Sequence, residues 1–181
     1  QGVNAIEDAP IYEGKPNSNY SNYVYDRVGY YDDEYKTART VMRPAALLNS
    51  TEWQSIGSGD ITSLTLYIKE SSSKSAKQVN IHALTENSTW TETNVKWSNV
   101  GAYSSTVYAS ASLGSGDWAE FNLTTLAKAW KNGTQNENCG ILLKMEDESV
   151  YRTFYACEYS TIDYRPYMVL EYKQDLVLNF Y

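Results

Sequence analysis

The chain has 181 residues, of which 15 are Lys or Arg and 22 are Asp or Glu, so its formal net charge is −7. This length suits one domain that buries roughly 70% of the surface of its unfolded chain. The acidic balance, without a run of Lys or Arg, disfavours nucleic acid and anionic lipid as partners, because both require clustered positive charge. One His and two Cys are too few for a zinc centre built from nitrogen and sulfur ligands.

The sequence gives no sign of membrane insertion. No stretch approaches about 18 consecutive apolar residues, and the first twenty residues lack a basic segment followed by an apolar one. We therefore expect neither a membrane span nor a signal peptide in this chain, which still fits the mature part of an exported protein.

Short runs of alternating apolar and polar residues recur along the chain and predict strands that bury one face. The clearest is Ile61–Lys69, where Leu64, Leu66 and Ile68 share one face. The other predicted strands are Tyr23–Val28, Ala38–Met42, Lys77–Thr85, Val95–Ser98, Trp118–Leu123, Ile141–Met145, Tyr151–Cys157 and Pro166–Tyr172. Eight or more short strands separated by turn residues predict an all-β jelly-roll sandwich of two antiparallel sheets.

One segment has helical periodicity instead. Thr124–Gly133 carries apolar residues at positions i, i+3 and i+4 from Leu126, after a Thr cap and before a terminal Gly. We predict one short helix that closes an end of the sandwich. Residues 1–173 are predicted to form a single domain, and residues 174–181 a tail or the start of a following segment.

The two cysteines leave two possibilities open. If Cys139–Met145 and Tyr151–Cys157 form a hairpin, Cys139 lies directly opposite Cys157, at a separation that a disulfide tolerates. A shift of register by one residue would instead leave two buried reduced thiols on opposite faces.

Several segments resemble, in the same order, segments of DNRLRE-type domains. They are Asn17–Tyr20, Trp90–Ser98, Leu126–Trp130, Asn138–Leu143 and Tyr164–Tyr172. The family's R-x-L-x-R-F strand is represented by Arg39–Pro44, in which Pro44 stands in place of an aromatic residue, and the letters that name the family do not occur. The resemblance covers about residues 6–173. It implies a jelly-roll sandwich from a large secreted or cell-surface microbial protein, similar to carbohydrate-binding modules.

Aromatic residues with a polar tip are the anomaly of the composition, because 17 Tyr and five Trp accompany only three Phe. Sugar recognition needs flat rings that stack on a pyranose, and polar side chains that bind the hydroxyl groups around its rim. Trp53 lies in a polar stretch, and no alternation assigns the tyrosines of residues 30–35 to a core. The candidate ligand-binding residues are Tyr30, Tyr31, Tyr35, Arg39, Trp53 and Trp118. The alternative is that most of these rings pack at the edge of the sandwich, whereas Trp90, Trp97 and Trp130 are expected in the core.

Calcium is the ion that the acidic residues would suit, because it takes several carboxylate and carbonyl oxygens. The candidate ligands are Glu7, Asp8 and Asp32, and the alternative is a solvated acidic turn, since no spacing matches an EF-hand loop. No other cofactor is expected.

The sequence contains few candidate catalytic residues. His82 is the only histidine and is expected half-exposed on a strand, and no Ser lies in a G-x-S-x-G turn, so a Ser-His-Asp triad is not predicted. A pair of carboxylates of the glycosidase type stays formally possible, with Glu92 and Glu120 as the first candidates.

We therefore expect a noncatalytic carbohydrate-binding module, not an enzyme, that targets a larger exported or cell-surface protein to a polysaccharide. Its partners would be a glycan, for which the net charge favours a neutral one, and the other domains of the same polypeptide. The alternatives are a structural spacer or adhesion sandwich in an Rhs-type or wall-associated protein, and a small polysaccharide-active enzyme.

Overall fold

A computed structural model describes residues 5–71 and 73–173, so the predicted tail at 174–181 lies outside the described residues. Ten antiparallel strands dominate it: β1 Glu7–Tyr12, β2 Tyr25–Asp32, β3 Lys36–Arg43, β4 Ile61–Lys69, β5 Lys77–Ala83, β6 Ala109–Leu113, β7 Trp118–Asn122, β8 Ile141–Met145, β9 Tyr151–Tyr155 and β10 Tyr167–Tyr172. The helices are α1 Ala45–Leu48, α2 Thr51–Ser55 and α3 Thr124–Lys131. The predicted all-β sandwich is confirmed, with two more short α-helices than expected and 3-10 turns at Glu137–Cys139 and Ile162–Tyr164.

The strands form one large and one small sheet. In the large sheet the order is β6-β5-β8-β3-β2-β9, and β1 pairs with β3. The small sheet has the order β10-β4-β7. A bridge between Glu70 and Phe154 joins the end of β4 to β9, so the two sheets meet at this edge.

The main core fills the space between the sheets. Leu64, Leu66 and Ile68 of β4 are fully buried there, as the alternation predicted. From α3, Leu126 and Trp130 add to the same core, which confirms that this helix packs its apolar stripe inward. Complete burial of a side chain of this size contributes roughly 1.5–3 kcal/mol to folding.

A second core lies on the outer face of the large sheet. Residues 84–103 cross this face and bury Leu84, Trp90 and Val95 against it. The Trp90 indole Nε1 donates a hydrogen bond to the Cys139 carbonyl at 2.7 Å. The large sheet is therefore covered on both faces over this region.

One of the predicted strands is wrong. Val95–Ser98 spans the end of one turn and the start of another, at residues 92–94 and 97–99, where Asn94 and Asn99 accept hydrogen bonds from nearby backbone amides. β1 and β6 were not predicted. In β1 all positions after Glu7 are buried, so that strand shows no alternation.

The predicted cysteine hairpin is also wrong. The two edges of β8 are taken by β3 and β5, while β9 pairs with β2. Cys139 lies in the second core and Cys157 in the main core. Both are buried reduced thiols, which is the alternative that the sequence left open.

No helix in residues 5–71 and 73–173 combines the length and the apolar character of a membrane-spanning segment.

Candidate ligand-binding surface

The outer face of the small sheet carries a group of aromatic and polar side chains. Alternation along β4 turns Leu64, Leu66 and Ile68 inward and the residues between them outward. The antiparallel register then places side chains of β7 and β10 beside them. The outward residues are Ser63, Thr65, Tyr67, Lys69, Trp118, Glu120, Asn122, Tyr167, Val169 and Glu171, and each is half-buried or exposed. This face is thus open to solvent.

Four rings on or beside this surface lie close to one another, and two of them contact a lysine. Tyr67 and Tyr167 are stacked with their centroids 4.7 Å apart and their planes at 10°. Trp118 meets Tyr167 edge to face at 5.3 Å. The Lys69 ammonium lies 6.0 Å from the Trp118 ring centre and 5.8 Å from that of Tyr164, a separation at which a cation and a ring attract each other. We call Tyr67, Trp118, Tyr164, Tyr167 and Lys69 the aromatic platform.

The rings continue from the platform onto the edge of the large sheet. Tyr164 contacts Tyr155 at 5.0 Å and lies nearly parallel to Tyr159 at 6.2 Å. Tyr25 packs beside both of these tyrosines. Arg165 donates to the Tyr159 carbonyl at 2.7 Å, which holds the turn that carries Tyr164. With Lys69 between Trp118 and Tyr164, the rings form a series that runs from one sheet to the other.

Polar side chains form the rim of the platform. Glu171 accepts a hydrogen bond from the Ser63 hydroxyl at 2.7 Å, and Glu120 is exposed beside Tyr67. Partial burial, together with the charge of Glu120, raises the pKa of Tyr67, which keeps its hydroxyl protonated as a donor. Carboxylate, amide and hydroxyl groups next to rings are the groups that recognise sugar hydroxyls.

A second group of tyrosines surrounds Arg27 on the outer face of the large sheet; we call it the Arg27 cluster. Its rings are Tyr12, Tyr20, Tyr23, Tyr31, Tyr35 and Tyr151. The Arg27 guanidinium donates to the hydroxyl of Tyr12 at 2.7 Å and lies 4.3 Å from the ring of Tyr31. Tyr12 is fully buried, and its burial raises its pKa. These rings pack mainly against one another.

The structure separates the predicted ligand-binding residues. Tyr31 and Tyr35 are half-buried in the Arg27 cluster. Tyr30 is exposed and donates to Asp33 at 2.7 Å. Arg39 binds Glu148 through two hydrogen bonds of 3.0 and 3.1 Å. Trp118 is the member that lies on the aromatic platform.

The prediction that Trp53 is an exposed ring is wrong. Its side chain is 0% exposed, and its indole Nε1 donates to Glu137 at 2.9 Å. The cause is α2, whose cap residue Ser50 accepts from the Trp53 amide and turns the indole toward Trp130. Lys131 of α3 donates to the Trp53 carbonyl at 2.6 Å, which fixes α2 on the core.

His82 is also placed differently from the prediction. It is 7% exposed, its Nδ1 lies 2.9 Å from the Ser104 carbonyl, and its ring packs on Tyr103. Burial lowers the pKa of His82. The carboxylates considered for hydrolysis are not brought together either, because Glu92 lies in the segment that covers the large sheet and Glu120 lies on the small one.

The three predicted calcium ligands are not brought together. Glu7 pairs with Arg43 at 2.7 Å. Asp32 accepts from two amides in an exposed turn. Asp8 is buried, and one of its oxygens groups with oxygens of Glu92 and Glu158, all within 4.8 Å of one another.

Tyr67 and Tyr167 were not predicted as ligand-binding residues, although the alternation of β4 and β10 indicates that their side chains face outward.

No curated protein matches the chain. The sequence model of carbohydrate-binding module family 96 matches residues 1–172, which is nearly the whole chain. A two-sheet sandwich with an open aromatic face agrees with that match, and the chain belongs to carbohydrate-binding module family 96.

Proposed function

We propose that the chain binds a polysaccharide on the aromatic platform, without catalysis, and so targets a larger exported protein to that polymer. The observation that carries this proposal is the open outer face of the small sheet, where Tyr67, Tyr167 and Trp118 contact one another and Lys69 lies between Trp118 and Tyr164. Rings that are half-buried by the sheet are held in place, while their free surface is available to the C–H face of a pyranose.

A polymer fits this surface better than a single sugar. The rings extend from Tyr67 through Trp118 to Tyr164, and then through Tyr155 to Tyr25. A cleft of about 320 Å³ between β10 and α1 opens on the other side of Tyr167. Several successive sugar units would therefore each find a ring or a polar group.

The charges of the platform favour a neutral glycan. Lys69 is the cation among its rings, and Glu120 and Glu171 lie at its rim. The carboxylates accept hydrogen bonds from sugar hydroxyls but repel uronates, as does the net charge of −7. Raising the salt concentration should then barely change the affinity, whereas binding to a uronate polymer would weaken because ions screen the attraction.

The test is affinity electrophoresis, followed by calorimetry, on neutral and acidic wall polymers. We expect retardation by at least one neutral polymer. Trp118→Ala should weaken that binding at least about tenfold, which corresponds to about 1.4 kcal/mol. Tyr30→Ala is the matched control, since this exposed ring lies outside the platform, and its affinity should equal that of the parent.

Three outcomes would contradict the proposal. Loss of affinity in Tyr30→Ala but not in Trp118→Ala would move the site away from the platform. A failure of every polymer to retard the protein would favour a spacer or adhesion role. New reducing ends or unsaturated sugars after incubation would indicate an enzyme.

A further inference from the structure

Four carboxylates from distant parts of the chain meet on one side of the sandwich. Asp8 comes from β1, Asp26 from β2, Glu92 from the segment between β5 and β6, and Glu158 from the residues after β9. One oxygen each of Asp8, Glu92 and Glu158 lies within 4.8 Å of the others. The carboxyl group of Asp26 faces that of Asp8. We call these residues the carboxylate cluster.

The backbone holds the carboxylate cluster in this arrangement. Asp8 accepts from the Cys157 amide at 3.0 Å, which fixes the end of β9 beside β1. Glu92 accepts from the Asp8 amide at 3.2 Å. The Asn19 side-chain amide donates to the Glu92 carbonyl at 2.7 Å. These contacts therefore position Asp8 and Glu92 relative to each other and to the residues after β9.

Several oxygens of the carboxylate cluster have no donor. Asp8 and Asp26 are 1% and 0% exposed. Within residues 5–71 and 73–173, Oδ1 of Asp8, both carboxylate oxygens of Asp26 and Oε2 of Glu158 are buried without a hydrogen-bond partner. The ion pairs found in this part of the chain involve other residues. Buried carboxylates are costly unless a cation or a donor faces them.

The electrostatics agree with this geometry. Burial and the neighbouring negative charges raise the pKa of Asp8 to about 6 and that of Glu158 to about 8. Burial and the charge of Asp8 also raise the pKa of Asp26 well above its usual range. A bound divalent cation would remove this repulsion and satisfy the oxygens that lack donors.

We propose that Asp8, Glu92 and Glu158 bind one Ca²⁺ ion, with the buried carboxylate of Asp26 as the fourth acidic group of the site. Ca²⁺ takes 6–8 oxygen ligands at about 2.4 Å, so two ligands on opposite sides of the ion lie about 4.8 Å apart. The three carboxylate oxygens fit within that span. Mg²⁺ keeps most of its waters and seldom enters a site of several carboxylates, and Zn²⁺ prefers nitrogen and sulfur ligands.

The ion would add a further link between segments that already meet here through hydrogen bonds and strand pairing. It would tie β1 and β2 to the segment that covers the large sheet and to the residues that follow β9. Glu158 directly precedes Tyr159, whose ring packs on Tyr164 of the aromatic platform. The site is separate from the platform, so a failure to bind glycan leaves this proposal unaffected.

The test starts from the protein dialysed against EGTA. Titration with CaCl2 should give saturable heat by calorimetry, and at about 100 times Kd the Tm should rise by roughly 5–10 °C. MgCl2 at the same concentrations should shift the Tm much less. Tb³⁺, which replaces Ca²⁺ at oxygen sites, should show luminescence when Tyr and Trp are excited, and CaCl2 should quench it.

Variants separate a metal site from a group of carboxyls that share protons. Glu158→Gln should abolish the Ca²⁺-dependent rise in Tm, yet be at least as stable as the parent in EGTA, because it removes a carboxyl group whose ionisation the neighbouring carboxylates oppose. Glu92→Gln should likewise lose the response to Ca²⁺. Glu146→Gln is the control, since this glutamate is exposed elsewhere, and it should respond to Ca²⁺ like the parent.

The proposal is wrong if CaCl2 gives neither heat nor a change in Tm. It is also wrong if Mg²⁺ and Ca²⁺ act equally, or if Glu158→Gln and Glu92→Gln keep the full Ca²⁺ response. Equal destabilisation of Glu158→Gln in EGTA and in CaCl2 would mean that the carboxyls are held by shared protons instead.

Discussion

The outer faces of the two sheets carry similar residues but differ in what covers them. On the large sheet, residues 84–103 cover the face, and Trp90 of this segment is 1% exposed. At the other side of that face, Tyr20 and Tyr23 pack into the Arg27 cluster from the loop between β1 and β2. On the small sheet, Trp118 and its neighbouring rings remain partly open.

This difference in cover distinguishes rings that stabilise the fold from rings that are available to a ligand. Rings in the Arg27 cluster pack mainly against one another, and their polar partner Arg27 contacts Tyr12 and Tyr31. Rings on the platform are supported by the sheet on one side only. With the proposed function, the excess of Tyr and Trp serves two purposes, packing on the covered face and binding on the open one.

The largest expected effect is on the covered face. Trp90→Ala should lower the free energy of unfolding by about 3–5 kcal/mol, because it leaves a cavity in the second core and the Cys139 carbonyl without its donor. Urea unfolding followed by tyrosine fluorescence measures this. Trp97→Ala, at a half-buried position of the same segment, should cost clearly less. Equal effects of the two changes would contradict the distinction between a core and a cover.

A smaller loss of stability is expected in the Arg27 cluster. Arg27→Ala leaves the buried Tyr12 hydroxyl without its donor and should lower the free energy of unfolding by about 1–3 kcal/mol. Glycan affinity of the folded protein should not change. Lys128→Ala, which removes an exposed cation from α3, should stay within about 0.5 kcal/mol of the parent. Lost affinity in Arg27→Ala, with stability unchanged, would instead make the cluster a binding site.

How much of this the sequence could predict depends on the range of the interactions. Alternation in Ile61–Lys69 and helical spacing from Leu126 are local, and both predictions are confirmed. Trp53 was misplaced because its burial results from a five-residue helix docked through Lys131, 78 residues away. No local pattern reports such a contact.

The same reason applies to the sites. Trp118 was predicted as a ligand-binding residue and lies on the platform, but Tyr67 and Tyr167 become neighbours only through the register of β4 with β10. Asp8 was named as a candidate calcium ligand with Glu7 and Asp32. It meets Glu92, 84 residues away, because residues 84–103 fold back over the large sheet. The sequence identified the types of residue that such sites need. Which of these residues lie together depends on how the strands and the segment 84–103 are arranged in the fold.

On the open face the expected effect is on affinity and not on folding. Tyr167→Ala removes a ring that contacts both Tyr67 and Trp118 and should weaken glycan binding about tenfold while changing the free energy of unfolding by less than about 1 kcal/mol. Tyr167→Phe keeps the ring and should bind within about threefold of the parent. Calorimetry and urea unfolding measure the two quantities. A large loss of stability in Tyr167→Ala would show that the platform is a packing surface like the Arg27 cluster.

The smallest expected effect is a pH dependence on the covered face. Burial and the nearby charges of Lys144 and Arg39 lower the pKa of His82, although the Ser104 carbonyl partly opposes them. The unfolded chain therefore binds a proton near pH 6.5 that the folded chain does not bind. The contribution of neutral His82 to stability is complete above that pH, decreases as the pH falls below it, and becomes constant below the pKa in the folded state.

His82→Gln tests this, because glutamine does not titrate. Between pH 8 and pH 5, the parent should lose more free energy of unfolding than the variant, as measured by urea unfolding at each pH. Carboxylates of the chain titrate in both proteins, so the difference between the two curves isolates the histidine. If the cover over His82 were loose, water would reach the imidazole, its pKa would return to the usual value, and the two curves would be parallel. Parallel curves would thus show that residues 84–103 do not seal the large sheet, and the contrast between the two faces would be lost.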